Sequence, residues 1–230
     1  MSSSKRTPRM RPSSSAALPN EIIELSDDLT RSIGLPKRFR IARYGVHGDG
    51  SCAYHSMCAA LNLDDYVHRS DADQKRIAYE FRCNFQSSFS KGRFTAIRET
   101  INSGYEKPFK DVKEAFCDPR VWADEVTIKH AAKVLGANII FVDADRLRYY
   151  CGVHDEEAVK AGHAGGAAHT SIPTMVIFWC NHMHFEPLAQ ILEVRPNVTR
   201  IKLLFFPQKS VEDAQFVDAL MGAYTKQCNI

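Results

Sequence analysis

A chain of 230 residues, 44% of them hydrophobic, can bury one substantial core, and no apolar run in it approaches the roughly 18–20 residues needed to cross a bilayer. The net charge of +3 belongs to the first twenty residues, where Lys5, Arg6, Arg9 and Arg11 stand among serines and prolines without an acid, so the rest of the chain is close to neutral. Neither a secretory signal, a membrane partner nor a nucleic-acid partner is expected, and seven scattered cysteines without a CxxC pair read as free thiols in a reducing compartment, cytoplasmic or nuclear.

Residues 1–20 are of low complexity and are expected to form a disordered basic leader. "NEIIELSDDLTRSIG" predicts a short helix and "RFRIARYGV" a brief strand. At "GDGSCAYHS", residues 48–56, a glycine-rich turn runs into a helix: Ala53, Met57, Ala60 and Leu61 recur at helical spacing, and the helix ends near "NLDD". Cys52 falls in its first turn. "SDADQKRIAYEFRCNFQSSF" is a second helix, with Ser70 as cap, Asp71 and Asp73 at its positive end, and Ile77, Phe81 and Phe85 on one face.

Residues 86–118 show no clear pattern. "DPRVWADEVTIKHAAKVLGANIIFVD" then combines an amphipathic helix marked by Trp122, Ile128, Ala131, Ala132 and Leu135, a C-cap at Gly136 and a continuous apolar strand, a unit of an α/β or α+β sheet. Trp122 is expected to anchor in the core. The stretch 144–171, with "AGHAGGAAH" inside, reads as a loop and a candidate lid before the apolar strand "TMVIFWC". "HFEPLAQILEV", an "IKLLFF" strand and a last helix follow, the helix opened by a Ser210–Asp213 capping pattern with Ala214, Val217, Leu220, Met221 and Tyr224 on one side.

The first N–H groups of a helix are unsatisfied and partly positive, which favours thiolate over thiol, so Cys52 stands where a cysteine becomes nucleophilic. The small residues before it let backbone amides approach an oxyanion. Such a thiol needs an imidazole to take its proton, and that imidazole needs an orienting acceptor. Among nine histidines His184 in "NHMHFEPL" is singled out, because it directly follows an apolar strand that can hold it rigidly. Glu186 shares its face if the segment is extended, and Asn181 is a second candidate orienter. Cys58 and Cys180 are expected in the core and His55 is given no catalytic role. His182 and His184 could face one another's metal only with further ligands at suitable spacing, so neither a metal nor another cofactor is expected.

"DGSCAYHS", followed by "WADEVTIKHAAKVLGANIIFVD" and then "HFEPL", resembles in order and spacing the ovarian tumour (OTU) family of cysteine proteases over about residues 40–190. The resemblance implies an α+β, papain-like fold with a small central sheet flanked by helices, spanning 36–207, with residues 208–230 as a C-terminal helix packed on it. It implies a deubiquitinating thiol protease that hydrolyses bonds after the C-terminal glycine of ubiquitin or a ubiquitin-like protein. Cys52 matches the nucleophile, His184 the base, and Asp49 with the backbone of Gly50 and Ser51 the oxyanion loop. The family usually has Asp or Asn two residues after the histidine, whereas this chain has Glu186, so Glu186 or Asn181 completes the site, or Cys52 and His184 work mainly as a pair. That departure also leaves open a ubiquitin-binding module with a weak or disabled site, and the nucleophile chemistry alone would serve another acyl substrate.

Overall fold

The computed structural model describes residues 17–32, 40–101, 104–143, 148–152, 172–180, 183–195, 198–203 and 205–206. Eight strands form one mixed sheet: β1 (Ile22–Glu24), β2 (Ile41–Tyr44), β3 (Asn138–Asp143), β4 (Arg148–Gly152), β5 (Thr174–Cys180), β6 (His184–Arg195), β7 (Val198–Leu203) and β8 (Phe205–Phe206). Their order is β1-β2-β6-β5-β3-β4, with β7 beside β6 and β8 beside β5, and β3 and β5 run parallel. The helices are α1 (Asp27–Ser32), α2 (Cys52–Leu61), α3 (Asp71–Ser88), α4 (Lys91–Glu99), α5 (Phe109–Ala115) and α6 (Glu125–Leu135), and a 3-10 helix spans Leu63–His68. The fold is α+β.

β6 joins the two halves of the sheet. Its first residues pair with β5, Cys180 opposite His184 and Phe178 opposite Glu186, and its middle pairs with β2, Arg43 opposite Leu188 and Ile41 opposite Gln190. α2 lies against this seam. Every residue of α2 except Leu61 is buried, which fits a helix apolar on all sides and enclosed by other elements. One of its faces, with Ala53, Tyr54, Met57 and Ala60, packs with Phe85, Phe89, Ile128, Ala131, Ile139 and Ile177, and the other, with Cys52, Cys58 and Ala59, packs with Tyr44, Val46, Tyr66 and Ile77. Burying each large side chain of this kind stabilises the fold by about 1.5–3 kcal/mol.

Local signals close the helices as expected. Ser70 caps α3 by accepting from the Asp73 amide, Asn62 ends α2 in the left-handed region, and Gly136 does the same for α6. Four expectations change. "NEIIELSDDLTRSIG" contains a strand as well as a helix, since Ile22–Glu24 pair with Tyr44–Ala42. Residues 17–20 are not part of a disordered leader: Ala17 is buried, and the Asn20 amide donates to the Gly45 carbonyl at 2.8 Å. The packed unit thus begins well before residue 36. Trp122 is no core anchor; it precedes the Asp124 cap of α6 and is 48% exposed. Cys83 and Cys117 are joined in a disulfide, their Cα atoms 4.8 Å apart, while Cys52, Cys58 and Cys180 are free and buried. The expected C-terminal helix and the 160–168 loop lie outside the described residues, and no described helix is long and apolar enough to cross a membrane.

His130 on α6 is enclosed by the rings of Phe85, Phe89 and Phe116, and its Nε2 donates to the Phe85 carbonyl at 2.9 Å. Burial pushes its pKa down to about 4. A neutral buried histidine stabilises the fold above its unfolded value of about 6.5, and that contribution fades as pH falls towards the folded value. Urea unfolding is therefore expected to show a loss of roughly 1–3 kcal/mol between pH 7 and pH 4.5 that His130→Gln removes.

Candidate active site

The nucleophile turn is built by exclusion of side chains. Gly50 has φ +82, and a Cβ there would lie 2.1 Å from the Pro119 carbonyl oxygen, so only glycine passes under the 118–122 loop. Asp49 then folds back and its Oδ1 accepts from the Ser51 amide at 3.1 Å. Ser51, the N-cap of α2, makes no side-chain cap bond. The start of the helix thus leaves its first amides turned towards the sulfur: backbone N–H groups of Cys52, Ala53 and Phe185 all reach Cys52 Sγ. The Ser51 amide, expected among the oxyanion donors, is instead committed to Asp49.

Phe185 is the hinge of the site. Its N–H meets Cys52 and its carbonyl accepts from Ser56 Oγ at 3.0 Å, and Cys52 and Ser56 are one helical turn apart on α2. The residues on either side of Phe185 are His184 and Glu186, the two expected partners, and both are buried. His184 lies against the turn, its Nδ1 and Cε1 3.7 Å from where a Cβ on Gly48 would be. The Val46 backbone favours the protonated ring, and Nε2 has no hydrogen-bond partner among the described residues. Nε2 points to Glu186 Oε1, 3.6 Å away.

Burial shifts both candidate groups, Cys52 and His184. It pushes the Cys52 thiol up, against the pull of the three amides, and the Asp49 carboxylate adds to the rise. The expected acidification by the helix start is outweighed by desolvation of the thiolate. Burial also holds His184 below the usual imidazole range, and the Arg43 guanidinium adds to this. A neutral thiol and a neutral imidazole are the states these shifts favour, and a neutral imidazole can accept a proton.

Glu186 is completely buried and carries a network of its own. Its Oε2 pairs with Arg43 Nη1 at 3.1 Å, its Oε1 accepts from the Ala17 amide at 2.6 Å, and Cys180 bonds to it as well. Arg43 Nη1 also reaches Cys180 Sγ at 3.2 Å, and burial pushes that thiol up to about 12. Burial raises the Glu186 carboxyl, while Arg43 and the Ala17 amide work in the opposite direction. Asn181, the other candidate orienter, and His182 lie outside the described residues.

Asp49 faces away from His184. It bonds to Nε2 of fully buried His55 at 3.1 Å, and His55 Nδ1 bonds in turn to the Tyr66 hydroxyl. Although burial works against it, the bonds from His55 and the Ser51 amide hold the Asp49 carboxyl below its usual range. His55 thus supports the turn without approaching the thiol. The contributions of Arg43, Ala17 and His55 were not anticipated. For Arg43 a signal existed: a guanidinium between Ala42 and Tyr44 in an apolar strand requires a buried partner.

No family model and no curated protein matches the chain. Among solved structures, an ovarian tumour (OTU) domain in complex with ubiquitin aligns at 13% identity over 92% of this chain and 97% of that one, with a TM-score of 0.48. The Hazara virus OTU bound to ubiquitin aligns at 14% identity over 67% and 83%, with a TM-score of 0.41. The viral OTU domain protease from Taggert virus aligns at 12% identity over 76% and 88%, with a TM-score of 0.44. Likenesses at this level are recorded without bearing on the site.

Removing one partner of a buried ion pair is far more costly than removing both, because one charge is left behind. Glu186→Gln is expected to lower stability by about 3 kcal/mol, and Arg43→Met with Glu186→Gln to lose less than the sum of the single changes. Denaturant titration of the four proteins of this cycle measures it.

Proposed function

We propose that the chain is a papain-like thiol hydrolase of the OTU type, cleaving isopeptide or peptide bonds after the C-terminal glycine of ubiquitin or a ubiquitin-like protein. The observation that carries this reading is the convergence at Phe185, whose N–H meets the Cys52 sulfur while its neighbours are the buried imidazole of His184 and the buried carboxylate of Glu186. The substrate class comes from the motif resemblance.

Cys52 gives its proton to His184 and its sulfur attacks the carbonyl carbon of the terminal glycine, so that a C–S bond forms and the carbonyl oxygen takes the negative charge. The amides at the start of α2 stand nearest that oxygen. Collapse of the intermediate breaks the C–N bond as His184 returns the proton to the leaving amine. Water then attacks the thioester with His184 as base, releasing the glycine carboxylate and the thiol. Because burial raises the thiol, little thiolate exists beforehand and proton transfer to His184 is part of the reaction. Glu186 steadies the imidazole from behind, and Asp49, held by His55, keeps the turn in shape.

A second reading, a ubiquitin-binding module of weak or no activity, is favoured by the 3.6 Å between His184 Nε2 and Glu186 Oε1, which is longer than a hydrogen bond. Incubation with ubiquitin carrying a C-terminal thiol-reactive electrophile separates the two. A covalent adduct is expected with the wild-type chain and not with Cys52→Ala. Binding without an adduct indicates the module, and neither adduct nor binding indicates a different acyl substrate.

The pH profile offers a separate check. A base held below the usual imidazole range stays deprotonated to lower pH, so the acid limb of kcat/KM is expected below pH 6.5. A limb above 6.5 would contradict the desolvated environment of His184.

A further inference from the structure

Arg82, on α3, is among the most buried side chains of the protein, with 1% of its surface exposed. It lies on the inward stripe that also holds Gln74, Ala78 and Phe85. Its guanidinium reaches two separate segments. Nε donates to the Phe116 carbonyl at 2.6 Å, and Nη2 donates to the carbonyls of Ala115, at 2.5 Å, and Val121. Nη1 donates to Ser51 Oγ at 3.1 Å and to the Gly50 carbonyl at 3.4 Å. The face of the group lies 5.0 Å from the centre of the Tyr54 ring. One side chain therefore ties the end of α5 and the loop after it to the two residues that precede the nucleophile.

The acceptors are all neutral, and among the described residues no carboxylate stands within 4.0 Å of the guanidinium. An arginine stays protonated in such a setting, so its charge is present and is not cancelled by a contacting anion. Two of its acceptors, the Gly50 carbonyl and Ser51 Oγ, belong to the residues directly before Cys52. We infer that Arg82 is a positioning residue for Cys52, which fixes the Gly50–Ser51 turn through hydrogen bonds and stabilises the Cys52 thiolate through its uncancelled charge. Both bonds fix the residues directly before Cys52, and the positive charge lies behind that same turn. Burial works against the charged guanidinium, and Tyr54, Asp118, Asp49 and then Cys52 favour it.

The electrostatic part rests on Cys52 as nucleophile alone, and the positioning part also rests on the proposed ubiquitin substrate. The full-length chain is alkylated with iodoacetamide from pH 5 to 10, and the rate at Cys52 is read by mass spectrometry of its peptide, alongside Arg82→Lys and Arg82→Met. Arg82→Met is expected to move the midpoint of Cys52 alkylation up by about one pH unit, a tenfold loss of thiolate at neutral pH. Arg82→Lys keeps the charge but not the planar fork, so its midpoint is expected to stay near that of the wild type while kcat on a ubiquitin substrate falls about tenfold and KM changes little. If Arg82→Met does not fold by circular dichroism, Arg82→Gln, which retains an amide donor, takes its place. A folded neutral variant with the wild-type midpoint overturns the electrostatic part, and Arg82→Lys with wild-type kcat overturns the positioning part. Loss of ubiquitin turnover in the wild type would refute the substrate assignment and leave the alkylation readout intact.

Discussion

Helix α2 meets strand β6 at the backbone of Phe185, and the candidate site is arranged around that junction. The Phe185 carbonyl accepts from Ser56 Oγ, and its backbone favours the Cys52 thiolate one helical turn earlier. Strand geometry then sets the rest. The residues flanking Phe185 project to the opposite side of the sheet from its own side chain, and they are the imidazole and the carboxylate. A main-chain contact is insensitive to the side chain at 185 and therefore a dependable way to bring together residues from two distant parts of the chain.

Two buried guanidinium groups surround this junction and do different work. Arg43 is opposed by the Glu186 carboxylate, so its charge is largely spent within the pair and what it exports is geometry, together with a push that keeps His184 neutral. Arg82 meets only carbonyls and a hydroxyl, so it binds segments together while its field reaches its surroundings. The same cation type thus acts once as a counter-charge and once as a scaffold. The Cys83–Cys117 bond links α3 to the stretch that Arg82 reaches at Phe116, one residue further along each.

The parts of the fold legible in the sequence were those governed by neighbours a few residues away. The Ser70 cap, the Gly136 stop and the unbroken apolar runs of β3 and β5 each carry a local physical cause. Cys52, Asp49, His184 and Glu186 could be singled out for a related reason, since each lies in a short motif with its own chemistry. What escaped was decided at long range. Ile22–Glu24 form a strand because β2 is there to pair with, and Trp122 is left outside because the turn at Gly50 occupies the space beneath its loop. Arg43 and Glu186 are 143 residues apart, and no periodicity announces such a pair. Arg82 was visible only as a charge on an otherwise buried stripe.

The order of strands in the sheet also governs when chemistry becomes available. Cys52 follows β2, whereas His184 begins β6, and β2 and β6 are neighbours although most of the chain lies between them. During synthesis Cys52 therefore emerges long before His184 and Glu186, and any fragment ending short of β6 lacks both of the side chains that the sheet brings to its side of α2.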